Sequence, residues 1–162
     1  MANEVKSIPE GYHTVTPMLT VKNAAAVIDF YKRAFGAEER FRMQAPNSDI
    51  VVHAELKIGN SIVMLGEEMP GQECRSPASF GGTPVSFYVY VEDVDAAFKT
   101  AVDAGAKEKM PVQDMFWGDR IGEVIDPSGH IWTLATHTQD LSEEEIRKRG
   151  NEFFEKMKEQ TT

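Results

Sequence analysis

The chain has 162 residues, with 41% hydrophobic and 27% charged positions, and reads as one ordinary domain or two small repeats sharing a core. A net charge of −9 without a basic stripe argues against nucleic acid and anionic membrane as partners. No apolar run approaches the roughly 20 residues of a membrane helix, no secretory signal opens the chain, and a single cysteine, Cys74, excludes an intrachain disulfide, so a cytoplasmic location is expected.

The β-branched segment 14–21 reads as a strand. In the following "KNAAAVIDFYKRAFGAEE", Ala25, Ile28 and Tyr31 or Phe35 form an amphipathic stripe, with Asn23 as cap and Gly36 as stop. Residues 40–44 suit a second strand. Residues 50–68 suit a hairpin turning at Gly59-Asn60. The pattern then recurs. A strand is expected over 84–91, and a helix over 92–106 with Asp93 as cap, Val94, Ala97, Phe98, Ala101 and Val102 as its stripe, and Gly105 as stop. The hairpin "IGEVIDPSGHIWTLATH" turns at Pro127-Ser128-Gly129.

The halves keep step. Val21 and Val91 are 70 residues apart, and Gly36/Gly105, Leu56/Ile125 and Leu65/Leu134 are 69 apart. Ordered matches of this kind indicate a βαβββ duplication. The Gly-, Pro- and Ser-rich stretch 66–84 between the halves reads as a mobile linker or lid. A tail helix starts at Ser142, which with Glu145 forms a capping box that Leu141 can staple. Ile146, Phe153 and Met157 give it an apolar edge, and Gly150 weakens its middle by roughly 1 kcal/mol. The expected organisation is an arm over 1–12, a first module over 13–69, a linker over 70–83, a second module over 84–138 and a helical tail over 139–162.

Together, "TPMLTVKNAAAVIDFYKRAFGA", "HAELKIGNSIVML", "VYVEDVDAAFKTAVDAGA" and "DRIGEVIDPSGHIWTLATH" resemble the glyoxalase/bleomycin-resistance/dioxygenase (vicinal-oxygen-chelate) superfamily over residues 13–138. "MFWGDR" and "LATH" look most like its PhnB-like branch. The resemblance implies an α+β fold in which two modules curl their sheets into a cup, plus here a C-terminal helix. It also implies a homodimer whose cups form within one chain or across two.

Metal-binding members take ligands from the first and last strands of each module. The matching positions here are Thr16, Met64, Ser86 and Thr133. A thioether and three hydroxyls do not supply the usual imidazole and carboxylate ligands, so no metal and no cofactor are expected.

Alternation along the last strand puts Trp132 and Leu134 under the helices, and Thr133 and His137 towards the cup. His130 reads as bonded to neighbouring backbone. Candidate ligand contacts are Phe116, Trp117, Arg120, His53 and His137. The two aromatics offer flat apolar surface, and the Arg120 guanidinium suits a carboxylate or phosphonate. Opposed readings stay open: Arg120 paired with Asp119 or another carboxylate, and His53, matched to Gly122, as a structural group beside Glu55.

No nucleophile constellation, Walker loop or dinucleotide fingerprint is present. The sequence therefore supports a metal-free binder of a small apolar or aromatic ligand with an anionic group. A lyase or isomerase of the same superfamily, and a structural protein with an occluded cup, are the alternatives.

Overall fold

The computed structural model describes residues 5–160. The first module runs β1 (Met18–Val21), α1 (Ala24–Phe35), β2 (Glu38–Gln44), β3 (Val51–Ile58) and β4 (Ser61–Glu67). A short helix α2 (Pro77–Phe80) lies in the linker. The second module runs β5 (Ser86–Tyr90), α3 (Val94–Asp103), β6 (Lys107–Asp114), β7 (Asp119–Ile125) and β8 (Ile131–His137), and α4 (Glu143–Gln160) ends the chain. Each module makes one four-stranded sheet, in the orders β1-β4-β3-β2 and β5-β8-β7-β6. The first strand of each pairs in parallel with the last, and the remaining pairs are antiparallel. This is the expected tandem βαβββ arrangement with a C-terminal helix.

The caps fall where the sequence puts them. The Asn23 side chain accepts from the Ala26 N–H, the Asp93 side chain from Ala96, and Gly36 ends α1 at φ 62°. Helix α1 has no acid in its first turn. Glu67, at the end of β4, serves instead: its carboxylate accepts from the Asn23 and Ala24 N–H groups at 2.7 and 2.6 Å. A carboxylate at a helix N-terminus satisfies free donors and meets the positive end of the dipole.

Strand β6 escapes the sequence reading. Its residues, KEKMPVQD, are mostly exposed, and Pro111 lies within it. An edge strand tolerates both, because only one of its sides must pair. Strand β1 is also shorter than the 14–21 segment suggests, beginning only at Met18.

The repeat offset is not uniform. Ala54 pairs with Leu65, and Gly122 with Leu134. Ala54 therefore corresponds to Gly122, at 122 − 54 = 68, and His53 to Ile121. The cause is the turn. Four residues separate the paired Lys57 and Ile62, whereas five, Asp126 to His130, separate the paired Ile125 and Ile131.

The modules share a core around Trp132, which is 1% exposed. Its ring centroid lies 5.2 Å from Tyr31, 4.7 Å from Phe35 and 4.8 Å from Phe87, so α1 of the first module rests on β8 and β5 of the second. The buried Asp126 carboxylate accepts from Tyr31 Oη at 2.5 Å and Trp132 Nε1 at 3.1 Å. It also takes the backbone N–H groups of Ser128 and His130, at 2.8 and 3.0 Å.

His130 is itself buried against Phe87. Its Nδ1 lies 3.3 Å from Asp126 without hydrogen-bond geometry, and the expected bond from it to neighbouring backbone is not formed. Burial opposes the charge on Asp126, but the contacts from His130, Tyr31 and Trp132 outweigh it and hold the carboxyl below its ordinary range.

The linker is anchored. Glu68 accepts from the Ser76 N–H and the Ser79 hydroxyl, both at 2.7 Å, and Ser76 is fully buried. Ala78 N–H donates to Ser128 O at 3.0 Å, beside Gly129 at φ 92°. A Cβ on Gly129 would meet Ala78 N at 2.8 Å. Half of the expected lid is thus fastened to the β7–β8 turn.

Asp126→Ala leaves four donors unanswered, two of them backbone. The expected cost is about 3 kcal/mol of unfolding free energy, since hydrogen bonds to charged groups contribute roughly 1.5–3 kcal/mol each but do not add. Urea denaturation measures it, and a loss below about 1 kcal/mol contradicts the linking role.

Candidate functional site

The helices cover one face of each sheet. On the other face of the second sheet, β5 presents Ser86, Tyr88 and Tyr90, while Phe87 and Val89 pack on the core. Tyr88 lies opposite Thr133, and Tyr90 opposite Ala135. Across β8, Thr133, Ala135 and His137 lie opposite Glu123, Ile121 and Asp119 of β7.

Asp119 organises this open face. It is only 4% exposed, and its Oδ2 accepts from Tyr88 Oη at 2.8 Å, Tyr90 Oη at 3.0 Å and Trp117 Nε1 at 3.3 Å. Its Oδ1 meets His137 Nδ1 at 2.8 Å, and His137 Nε2 meets the exposed Asp140 at 3.0 Å. Strand β8 lies between β5 and β7, so both tyrosine side chains must cross it to reach Asp119. Ala135 provides the clearance there, and Ala135 and Ile121 are accordingly buried at 0% and 4% exposure. The outer sides of the rings remain open, with Tyr88 44% and Tyr90 63% exposed.

Burial opposes the Asp119 charge, but the hydrogen bonds from His137, Tyr88, Tyr90 and Trp117 prevail and lower its pKa. Burial first, and the Asp119 carboxylate with it, push Tyr88 up to about 12, although Trp117 pulls the other way. The hydrogen bond to Asp119, then that to Asp140, raises His137. The aromatic surface therefore stays protonated at neutral pH around a fixed negative charge.

Of the residues singled out in the sequence, Trp117 and His137 meet here. Arg120 does not. Adjacent strand residues point to opposite faces, so Arg120 turns to the helix side, away from Asp119. There it grips Asp95 of α3 through Nε and Nη2, both at 2.8 Å, and Asp114 through Nη1 at 3.1 Å.

Phe116 does not reach Asp119, although its ring stands edge-on to Trp117 at 4.9 Å. Its ring packs on Phe153 and Phe154 of α4, at centroid distances of 5.5 and 6.0 Å. Gly150 makes the room, because a Cβ there would come within 3.1 Å of the Phe116 ring. The glycine that weakens α4 is thus what lets it dock. His53 sits on the first sheet with Glu55, 3.3 Å from its Nε2, and Phe41 as neighbours, outside the Asp119 cluster. Tyr88, Tyr90 and Asp119 were the residues not singled out. Alternation in "SFYVY" marks the tyrosines, but nothing local to it names Asp119 as their shared acceptor.

The residues do not fit the family metal. Thr16 Oγ1 donates to His13 O at 2.9 Å, and Thr133 Oγ1 to Glu123 at 3.2 Å. Met64 lies between Met18 and Glu55, and Thr133 between Tyr88 and Glu123, so each sheet adds one carboxylate beside a thioether or a phenol, and no imidazole. Among the described residues no three His, Cys, Asp or Glu side chains converge on one point.

The pair Asp119–His137 has a pH signature. His137, raised in the folded chain, contributes stability that is complete below its unfolded pKa of about 6.5 and fades as pH rises through the folded value. Asp119, lowered, contributes above about 3.9 and fades as pH falls through its own folded value. An NMR titration should place His137 above the ordinary histidine value, and Asp119→Asn should bring it down. An unchanged midpoint in that variant contradicts the pairing. Phe116→Ala, in turn, should speed amide exchange across α4 while leaving β7 and β8 protected. Unchanged exchange in α4 removes Phe116 as its anchor.

The superfamily model for glyoxalase/bleomycin resistance protein/dioxygenase matches residues 12–134. An uncharacterized protein of Mycobacterium tuberculosis is 41% identical over 136 residues, covering 82% of this chain and 79% of that protein. The X-ray structure of an Arabidopsis thaliana gene product is similar at 30% identity and TM-score 0.60, covering 76% of this chain and 98% of that one. TioX from Micromonospora sp. ML1 is similar at 28% identity and TM-score 0.59, covering 80% and 100%. With both modules and their order in place, the chain belongs to the glyoxalase/bleomycin resistance protein/dioxygenase superfamily.

Proposed function

We propose that the protein is a metal-free small-molecule binder that seats a flat, apolar or aromatic ligand on the open face of its second sheet. One observation carries this reading: Tyr88, Tyr90 and Trp117 converge on the buried Asp119 while both tyrosine rings stay exposed, beside a cavity that they line with Val15, Pro17 and Ser61 of the first half. Exposed aromatic surface around a fixed polar centre is the usual make-up of a ligand site. The Thr16, Met64, Ser86 and Thr133 set, a thioether and three hydroxyls, supports the metal-free part of the reading.

The expected anionic group loses its partner, because Arg120 is committed to Asp95 and Asp114. The "MFWGDR" and "LATH" segments support placement in the PhnB-like branch. A homodimer is part of the proposal, with a second copy closing the cup over the exposed Tyr88, Tyr90 and His137.

A second reading, a lyase or isomerase, has one observation in its favour. His137 is held by Asp119 on one nitrogen, and its other nitrogen faces only the exposed Asp140, so it can exchange a proton with a bound molecule. No helix of the described chain is long and apolar enough to cross a membrane.

A screen of small aromatic compounds by Trp117 fluorescence tests the main reading, with Trp117→Phe giving the Trp132 signal to be subtracted. Binding should survive chelator treatment and weaken in Tyr90→Leu, and sedimentation should give twice the chain mass. Chelator-sensitive binding overturns the metal-free part. Binding indifferent to Tyr90→Leu overturns the site, and a monomer overturns the closed cup.

A further inference from the structure

Resting on the binding role proposed above, we infer that the Tyr88–Tyr90–Trp117 surface takes an organic cation, an alkylated ammonium group seated on the tyrosine rings above Asp119. The inference begins with the rings. Their centroids are 5.3 Å apart at 56°, so they present two tilted faces to one small group. Each hydroxyl donates to the same carboxylate oxygen, which moves electron density towards the ring and strengthens the negative potential of its face. A cation within about 6 Å of such a centroid is attracted by that potential.

The charges around the rings point the same way. Asp119 is buried directly beneath them, and Asp140 lies at the rim. Of the cations on these strands, Lys107 stands opposite Ile125, at the other end of β7 from Asp119, and the rest are engaged. Lys109 is paired with Glu123, Arg120 lies on the helix side, and His137 is shared between Asp119 and Asp140. An anionic ligand would meet Asp119 with no free partner for its own charge. The net charge of −9 also enriches cations near the surface.

The hydrogen-bond count narrows the class further. Asp119 Oδ2 already accepts three donors, and Oδ1 a fourth. Little acceptor capacity remains for an N–H of the ligand. A quaternary or fully alkylated ammonium, which needs no acceptor and binds by charge and ring contact alone, suits this surface better than a primary amine.

Three probes of one shape and different charge test this: choline, its neutral carbon isostere dimethylbutanol, and the matching dimethylbutanoate. The readouts are the ring signals of Tyr88 and Tyr90 by NMR and Trp117 fluorescence. Choline should bind about tenfold tighter than the neutral isostere, and the anion weakest. Tyr90→Leu should weaken choline severalfold, and Asp119→Asn should weaken choline more than the neutral probe. Equal binding of choline and the neutral isostere, or preference for the anion, overturns the cation assignment while leaving the binding role standing. If no probe of any charge moves the Tyr88, Tyr90 or Trp117 signals while the aromatic screen does, the cation assignment falls alone. If neither does, both fall.

Discussion

Two buried carboxylates, seven residues apart in β7 and its turn, hold this molecule in order. Asp126 faces the core and draws Tyr31 from one module and Trp132 from the other onto a single charge. Asp119 faces outward and does the same for Tyr88, Tyr90, Trp117 and His137. A charge with so little exposure persists only when its lone pairs are answered. Each carboxylate therefore fixes the rotamers of the aromatic groups around it. The shared core depends on the first, and the shape of the aromatic surface on the second.

Much of the fold was legible because it rests on periodicity and caps. The stripe of α1, the caps Asn23 and Asp93, the Gly59-Asn60 turn and the Ser142 box all follow from local rules. Strand β6 was not legible, since an edge strand with a solvated face carries no apolar alternation. The anchored linker was hidden for another reason. Its composition is that of a free loop, and while Glu68 fastens it from within, the Ser128 carbonyl reaches it from elsewhere in the fold.

The candidate site was legible in part. Of the stretch "MFWGDR" Trp117 joins the Asp119 cluster, and of the last strand His137. Arg120 was misplaced because sequence proximity to Trp117 suggested a shared pocket, whereas the pleat sends Asp119 and Arg120 to opposite faces. The residues that meet on Asp119 come from β5, the β6–β7 connection and β8. Only the strand order β5-β8-β7 brings them together.

The uneven repeat offset has its own consequence. It is 70 between β1 and β5, 68 between β3 and β7, and 69 between β4 and β8. These changes fall in the stretches between those strands, and inside β6 a bulge between Met110 and Gln113 takes up one further residue. One residue gained inside a strand without such a bulge would turn every later side chain to the wrong face, whereas one gained in a turn leaves both faces intact. The two halves have therefore been free to drift in length without scrambling what they bury. They have also been free to specialise. On equivalent backbone, one half carries the flexible Met18/Met64 row and the other the polar Tyr88/Thr133 row. A duplicated scaffold of this kind can give its two faces different surfaces without altering the backbone that carries them.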